Sequence, residues 1–551
     1  MISSSPQSMG FSKPRPKISK EGQIPAPNRG VDARSALNAM SPENCIYTFN
    51  LMPEEYGCNL RRGFREWQIA IEDVTGLGVK TIIPFTGLSA SKLFGATNEG
   101  IWDLTTDGGT PVKDVAFTAD TTAAAGHGVF LAVNTAAANQ IIFYADSLNG
   151  LFTYDGNGDT WAQTSSITGL AEADICFIVK HKQRIWVVER GSTSAWYLGV
   201  GAIAGAATEF FFGDKFPHGG VLKGLVNWSV DGGDGVDDML VAVSSSGDVV
   251  VYRGADPATL ETAATGSGWS VVGTYYIGAV PEGRRFFSEH SGELYLLSSF
   301  GLIAMGDLLR GVDVRDKAAK SLTYPISKVL RDSLVTSGTT LGWEPQFIPS
   351  LGALVISSPQ SVTSGYYIQY VMSLSAEAWG FWRGVPITCL GEWENKVFFG
   401  TVDNKVYIME GTRDYVLIDT GDVDAAGFAV EFSLLTAYST AGSPAINKIP
   451  QFVRSNFLTV TPATFRTKVF FDYSIGEQVF DIGLSSASSE ALWDTGLWDS
   501  AVWSAGEVSR QAETNGSSGI GQSMAIALRG ESGDSARLVS FDVSWTEGGF
   551  L

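Results

Sequence analysis

Cysteine and long apolar runs are scarce in this chain of 551 residues. Its four cysteines, Cys45, Cys58, Cys176 and Cys389, form no C-x-x-C pair and have no neighbouring histidine at metal-ligand spacing. Buried thiols in a reducing compartment are therefore the favoured interpretation. No run of about 18 apolar residues occurs, and no apolar segment with a cleavage site follows the N-terminus. We expect no membrane-spanning segment and a chain that is made and kept soluble in a cytoplasm.

Signatures of catalysis are also missing. The four histidines, His127, His181, His218 and His290, have no partner at catalytic or metal spacing along the sequence. There is no H-E-x-x-H, no G-x-S-x-G and no P-loop. The glycine-rich stretch 231–235 lies between β runs, so it reads as a loop; calcium binding by Asp231, Asp234, Asp237 and Asp238 is the alternative. We expect no cofactor, no metal and no enzymatic activity.

Positive charge is in deficit, because 38 Lys and Arg stand against 58 Asp and Glu, a formal net charge of −20. A protein that grips nucleic acid needs a basic surface to displace counterions, so this balance argues against such a function. Solubility is the plain explanation of the acidic excess. A protein that surrounds DNA without binding it would also be acidic.

What the chain does contain is glycine, aromatic residues and many short β runs. Gly occurs 63 times, aromatic residues make up 11% of the chain, and short apolar runs are separated by Gly, Asp, Asn and Ser. This pattern is typical of an all-β protein. The length exceeds what one compact core usually holds, which predicts two or more domains.

A strand-ending phrase recurs at intervals of about 50 residues or twice that. Its copies begin at Gly100, Gly150, Gly247, Gly301 and Asn404. The two long gaps each leave room for one degenerate copy, near 196–198 and near 354–356. A repeat of this length predicts a β-propeller with six or seven irregular blades of about 50 residues each.

The propeller is predicted over residues 81–411, with a helical insertion near 326–334 between blades. Residues 31–80 form an entry segment, with a short helix expected at 32–40 and an extended segment near 46–51. First and last strands of propellers often pair in one blade, so we expect the entry segment to help close the ring. Longer strands in residues 412–551 predict a separate C-terminal β-sandwich-like domain.

Two sets of residues are candidate interfaces. Residues 1–30 are rich in Ser and Pro and read as an extended N-terminal arm, with basic side chains that would suit an acidic partner. A tryptophan repeats every fifth residue in 493–503, which fits neither a helix nor a strand; capping of the sandwich core, a subunit interface and sugar stacking are the three interpretations. The candidate residues are Lys13, Arg15, Lys17, Lys20, Trp493, Trp498 and Trp503.

Residues 36–67 resemble the start of tail proteins from short-tailed bacteriophages, namely the nozzle or tail tubular protein B family. The phrase Arg61-x-Gly63-Phe64 leads into a first blade strand at 81–87, as in that family. Ala378-Trp379-Gly380 before 398–401 and the tryptophan series also match. The resemblance covers most of the chain, but its motifs are structural and identify no catalytic centre.

The resemblance implies a homohexameric tube at the end of a virion tail. Such a tube would attach to the ring of adaptor proteins, carry tail fibres or spikes at its side, and conduct viral DNA during ejection without specific binding. The alternative is a propeller-type receptor-binding or polysaccharide-degrading tail protein, in which two carboxylates across a central pocket would suffice for catalysis. A kelch-like interaction scaffold is a third interpretation.

Overall fold

The computed structural model describes residues 19–548, apart from several short internal stretches and one long one. The stretches left out between these bounds are 73–75, 88–90, 119–123, 135–139, 164–165, 232–235, 260–267, 312–320, 360–366, 418–426 and 475–508. Within the described part no helix is long and apolar enough to cross a membrane.

Six small antiparallel sheets follow one another around a ring, which confirms the predicted all-β propeller. In each of the first five blades, every strand pairs antiparallel with the blade's next strand along the chain. Blade 1 comprises Thr81–Thr86, Ser91–Ala96, Gly100–Asp103 and Val112–Ala116; blade 2, Gly128–Asn134, Gln140–Asp146, Gly150–Asp155 and Thr160–Gln163; blade 3, Ile175–His181, Arg184–Glu189, Ser194–Tyr197 and Thr208–Phe211. Blade 4 comprises Leu222–Asp231, Val236–Ser244, Asp248–Arg253 and Ser270–Tyr276; blade 5, Phe287–His290, Glu293–Ser298 and Gly301–Ala304.

Blade 6 closes the ring with a strand from the other end of the propeller sequence. Its strands Cys389–Trp393, Lys396–Gly400 and Val406–Ile408 are completed by Arg65–Glu66 from the entry segment. Its first strand then contacts the first strand of blade 1. The expectation that residues before 81 return to close the ring is confirmed.

A four-stranded meander lies between blades 5 and 6. Its strands are Glu344–Ile348, Ala353–Ser357, Ile368–Ser373 and Ala378–Arg383, and the first of them contacts the first strands of both neighbouring blades. Its last strand pairs in parallel with the strand Cys45–Phe49 of the C-terminal domain, through Phe49 and Phe381. This seventh position in the ring therefore belongs to a sheet of the other domain as well.

Helices and small elements fill the remaining connections. The predicted insertion is a helix at Ser327–Ser337, which buries Leu330 and Leu334. A shorter helix occupies Met305–Leu309, and a two-stranded pairing joins Ile167–Thr168 to Gly205–Ala206. Short 3₁₀ turns occur at Glu172–Asp174, Gly213–Lys215, Tyr324–Ile326 and Pro349–Leu351.

The C-terminal domain is a sandwich of two sheets, and both sheets take strands from residues 19–60. One sheet contains Ser19–Pro25, Leu51–Glu54, Gly57–Leu60, Lys448–Thr459, Ser509–Gly516 and Ala536–Glu547. The other contains Cys45–Phe49, Phe428–Thr436, Thr464–Phe471 and Met524–Ser532, and the short strand Arg413–Asp414 pairs with Phe428–Thr436. The apolar faces of the two sheets share one core, with Phe457 and Phe541 on one side and Phe432 and Ile526 on the other.

The entry segment therefore supplies three strands to the sandwich in addition to leading into the propeller, and the arm 1–30 supplies Ser19–Pro25. The short helix expected at 32–40 is wrong, because that stretch consists of bends and turns. Asp32 explains this locally: its Oδ1 accepts hydrogen bonds from the backbone N–H of Arg34 and of Ser35, at 2.9 and 3.0 Å. Such a side-chain turn competes with a helix.

The recurring phrase marks the turn before the third strand of its blade. Gly150, Gly247 and Gly301 have φ angles of 88°, 95° and 107°, and Asn404 has a φ of 60°. Residues other than Gly and Asn rarely adopt such angles. Space is also restricted, since a Cβ on Gly247 would lie 2.0 Å from the carbonyl oxygen of Gly278. The recurring phrase therefore marks a turn with a positive φ angle, which favours Gly or Asn and is repeated around the ring.

Buried polar side chains in these same turns hold the loop that enters the first strand of a blade. Asp146 Oδ2 accepts from the backbone N–H of Gly126 at 2.7 Å, and Asp248 Oδ2 accepts from that of His218 at 2.8 Å. In the ring-closing blade, Asn404 Oδ1 accepts from the N–H of Gly78 at 2.9 Å. These loops carry the residues that meet on the propeller axis.

Candidate functional site

Arg285 joins several positions of the ring at the propeller axis. It lies just before the first strand of blade 5, and its guanidinium donates to Thr81 Oγ1 at 3.0 Å and to the carbonyl oxygen of Lys80 at 2.8 Å, both in blade 1. The same group lies 3.2 Å from His127 Nδ1 of blade 2. Its Nε is 3.2 Å from Glu344 Oε1 of the meander. One side chain therefore contacts three ring positions besides its own.

The neighbouring residues extend this contact network toward blade 4. Arg284 Nη1 donates to the carbonyl oxygen of Lys223 at 2.6 Å. Lys223 Nζ in turn donates to Glu282 Oε2 at 2.8 Å, and the Lys223 side chain is only 4% exposed. We call Lys80, His127, Lys223, Glu282, Arg284, Arg285 and Glu344 the axial cluster. The cluster fills the centre of the ring with side chains.

Burial and charge together set the protonation of the axial cluster. Burial lowers the pKa of His127 well below its usual value, and the nearby cations Arg285, Lys80, Arg284 and Lys223 lower it further, so the imidazole is neutral at pH 7. Burial also raises the pKa of Glu344, an effect that Arg285 opposes. The axis therefore combines a neutral histidine with charged pairs.

This arrangement connects the ring positions through ion pairs. Glu282 and Glu344 are the carboxylates of the cluster, and each faces a cation, at 2.8 and 3.2 Å respectively. Within the described residues no group of three His, Cys, Asp or Glu side chains could hold a metal ion.

A second cluster joins the propeller to the sandwich. Arg61 lies in the segment between the sandwich strand Gly57–Leu60 and the ring-closing strand, and its side chain is 1% exposed. Its Nη1 and Nη2 donate to the two carboxylate oxygens of Asp414 at 2.7 and 2.5 Å. A bidentate pair of this kind is directional and fixes both partners.

Asn50 completes this junction. Its Nδ2 donates to the carbonyl oxygen of Arg383 in the meander at 2.9 Å and to that of Glu431 in the sandwich at 2.7 Å. Its Oδ1 accepts from Arg61 Nε at 2.9 Å. We call Asn50, Arg61 and Asp414 the junction cluster, since their hydrogen bonds connect the entry segment, the meander and the C-terminal domain.

The Arg61-x-Gly63-Phe64 phrase has a physical reason at this junction. A Cβ on Gly63 would lie 2.1 Å from the carbonyl oxygen of Arg413, so only glycine fits. The fully buried Phe64 ring contacts Phe399, Tyr407 and Tyr415 edge to face, with centroids 5.3, 5.2 and 4.7 Å apart. The phrase therefore locks the closing blade against the segment that leads to the sandwich.

Few of the predicted interface residues fall in the described part of the chain. Lys20 lies on the edge strand Ser19–Pro25, where its Nζ pairs with Glu547 of the same chain. The interface role predicted for Lys20 stays a prediction. Lys13, Arg15, Lys17, Trp493, Trp498 and Trp503 lie outside the described residues. Asp234 of the calcium alternative also lies outside, and Asp238 accepts a hydrogen bond from Ser229 Oγ at 2.6 Å.

Sequence reasoning did not identify the axial cluster. Its members are spread over residues 80–344 and share no motif, although the adjacent pair Arg284-Arg285 in a chain short of basic residues was a usable signal. His218 also has a partner that sequence spacing did not indicate. Its Nδ1 lies 2.7 Å from Oδ1 of the buried Asp248, and its ring packs at a tilt of 31° against that of Tyr276, with centroids 4.2 Å apart.

Comparison with known proteins gives no family for this chain. No family model and no curated protein matches this chain. Among solved structures it is similar to the WD40 domain of Pan2 from Neurospora crassa, at 10% identity and a TM-score of 0.36, over 63% of this chain and 95% of that one. It is also similar to the extracellular domain of a hybrid two-component system from B. thetaiotaomicron, at 11% identity and a TM-score of 0.37, over 74% of this chain and 51% of that one. The sheets themselves, and not these low scores, define the propeller.

Proposed function

We propose that this chain is a structural component of a bacteriophage tail, the subunit of a hexameric nozzle that conducts DNA during ejection. The junction cluster is the observation that carries the proposal. Arg61, Gly63 and Phe64, which carry the resemblance to the nozzle family, are the residues that lock the propeller to the sandwich. A subunit of a tube under load needs two domains that move as one.

The filled propeller axis supports the same proposal. Arg285 and its partners occupy the centre of the ring, so the propeller itself is not the conduit. DNA would pass instead along the symmetry axis of the assembled hexamer. Six copies would carry about 6 × −20 = −120 formal charges, and a share of these on the lumen wall would repel phosphate. The same subunits would attach to the adaptor ring and to fibres or spikes.

Mass and symmetry test this proposal. A hexamer of the 58.8 kDa chain has a mass of about 6 × 58.8 = 353 kDa, which mass photometry separates from a monomer. We expect that species, with six-fold rings in negative-stain images, in purified protein at micromolar concentration or on addition of the adaptor. A chain that stays at 58.8 kDa under both conditions and clears bacterial polysaccharide would instead support the depolymerase alternative.

A further inference from the structure

A groove of about 700 Å³ lies where the entry segment passes the meander. Its floor is apolar and consists of Met52 of the entry segment, Val371 and Trp382 of the meander, and Met409 at the end of blade 6, all of which are buried in one apolar cluster. The exposed Arg62 stands at its rim. We call this feature the meander groove; it combines an apolar floor with a cationic edge.

Arg62 differs from its neighbour Arg61, whose buried guanidinium pairs with Asp414. Within the described part of the chain the Arg62 side chain makes no hydrogen bond and no ion pair. Glu54, a carboxylate of the same rim, faces Arg537 at 3.9 Å. Arginine and methionine beside a buried apolar floor are typical of protein interfaces. The groove therefore suits an apolar side chain that is accompanied by a carboxylate.

The helix Ser327–Ser337 carries that combination on its outer side. Its inner side buries Leu330 and Leu334, whereas Val335 is 83% exposed. Asp332 is exposed as well, and residues three positions apart are neighbours on a helix surface. Among the residues that the structure describes, the Asp332 carboxylate has no hydrogen-bond or ion-pair partner. An exposed valine and an unpaired carboxylate thus lie side by side.

The helix and the meander groove lie on opposite faces of the meander sheet. Ser333 of the helix is hydrogen-bonded to the hydroxyl group of Tyr370, whereas the next residue, Val371, lines the groove. Successive residues of a strand point to opposite faces. The adjacent strand shows the same division, because Phe381 belongs to the apolar cluster beneath the helix and Trp382 to that of the groove. A chain therefore cannot place its helix in its own groove, but a second copy can.

We propose that the meander groove of one subunit receives the helix Ser327–Ser337 of the next, with Val335 against the apolar floor and Asp332 beside Arg62. This inference rests on the proposed hexamer and assigns one of its subunit contacts. Complementary patches on opposite faces of a subunit form a heterologous interface, which generates a ring when the rotation between subunits closes. The charges of the two patches are opposite, and each lacks a partner in its own chain.

Other charges on the helix restrict how it lies in the groove. Lys328 and Arg331 are exposed on the same helix as Asp332. Like charges would oppose any arrangement that brings either cation to Arg62, whereas Glu54 on the groove rim can face them. The charge pattern therefore favours the arrangement in which Asp332 is the helix side chain nearest to Arg62.

Chemical cross-linking between introduced cysteines tests this contact. The four natural cysteines are buried, so surface thiols can be cross-linked selectively. The double variant Val335→Cys/Leu374→Cys carries one thiol on the helix and one at the groove. With a short bis-maleimide, at micromolar concentration or with the adaptor added, it should give a ladder of up to six linked chains on a denaturing gel. Either single variant alone should give no linked species.

The outcomes separate this inference from the proposed function. A hexamer of the double variant that shows no ladder would overturn the contact and leave the proposed function standing. Linked dimers from Val335→Cys alone would also overturn it, because they require two helices to face each other. A chain that forms no hexamer under either condition would overturn both proposals.

Charge reversal tests the pairing of Arg62 with Asp332 in particular. Arg62→Glu should weaken subunit association by about tenfold or more in sedimentation velocity, since two carboxylates would then face each other. Asp332→Arg should act similarly, and the double variant should recover most of the loss. Lys215→Glu reverses a cation in the turn between blades 3 and 4 and should leave association unchanged. Undiminished association in both single variants, or no recovery in the double variant, would contradict the pairing.

Discussion

The propeller and the sandwich are both made of β-strands, but they differ in how far apart in the sequence the paired strands lie. Each of the first five blades is made of strands that lie near one another in the sequence and pair in chain order. The sandwich instead pairs strands from residues 19–60 with strands from 428–547, for example Cys58 with Leu538. Pairing of strands that are close in the sequence costs little loop-closure entropy. Pairing of strands that are far apart costs more and forms more slowly. The two domains therefore depend on different residues, turn glycines in the propeller and a few long-range contacts in the sandwich.

Breaking the junction should have the largest effect. Arg61→Met leaves the buried carboxylate of Asp414 without its partner, a change that typically costs about 3–5 kcal/mol. Differential scanning calorimetry should show a lower midpoint and separate transitions for the propeller and the sandwich. Arg65→Met is the matched control, because Arg65 pairs with Asp107 and Glu410 at the surface, and should cost about 1 kcal/mol or less. Equal effects of the two variants would contradict the role given to the junction cluster.

Turn glycines should be the next most sensitive positions. Gly247→Ala combines a φ of 95° with a Cβ only 2.0 Å from a backbone carbonyl oxygen, so we expect a loss of about 3 kcal/mol in the free energy of unfolding. Gly191→Ala places a Cβ in open space at a φ of 72° and should cost about 1 kcal/mol. Urea unfolding of both variants measures the difference. A loss at Gly191 as large as that at Gly247 would show that close packing of the turn is unimportant.

All four histidines lie in the propeller sequence, so mild acid should affect that domain first. His127 has a folded-state pKa well below its unfolded value of about 6.5. Below about pH 6.5 His127 is therefore protonated in the unfolded chain but stays neutral in the folded chain. The free energy of unfolding consequently decreases as the pH falls below about 6.5, by up to about 1.4 kcal/mol per pH unit. His127→Gln should remove this part of the slope between pH 6.5 and 5. An unchanged slope would mean that His127 is accessible to protons in the folded state.

Asp114 should produce the smallest effect, with the opposite sign. Partial desolvation, and then the negative charge of Asp103, raise the pKa of this solvent-exposed carboxyl to about 6, so the folded chain holds a proton that the unfolded chain releases near pH 4. Stability from this group is present below about pH 4 and lost as the pH rises to about 6. Asp114→Asn should therefore raise the thermal midpoint at pH 7 by a degree or two and leave it unchanged at pH 4. Asp107→Asn removes an ion pair with Arg65 and should not raise it at either pH.

Local repetition explains what could be predicted from the sequence. The copies at Gly150, Gly247 and Gly301 each repeat a turn that the backbone requires, so the ring and its period were recognisable. The copies placed near 196–198 and 354–356 fall on strands of blade 3 and of the meander. The helix at Ser327–Ser337 was visible for the same reason, because a helix is determined by neighbouring residues.

Long-range contacts explain what could not be predicted. Nothing near Cys45–Phe49 indicates that it pairs with Phe428–Thr436, since such pairing depends on the shape of two distant surfaces. The axial cluster was not recognisable for a similar reason, because contacting residues such as Thr81 and Arg285 lie 204 positions apart in the sequence. The helix wrongly expected at 32–40 failed for a local reason, because the hydrogen bond that Asp32 Oδ1 accepts from the Arg34 N–H favours a turn over the weak helical pattern.

Electron microscopy of the assembled protein tests the central claim most directly, namely that the locked propeller and sandwich are the wall unit of a symmetric conduit. We predict a six-fold ring of about 353 kDa in which the propeller and the sandwich keep one relative orientation in every subunit. The lumen should lie on the symmetry axis, outside every propeller, and its wall should not be lined mainly by Lys and Arg. A map without six-fold symmetry, or with a lumen lined mainly by basic side chains, would contradict the account.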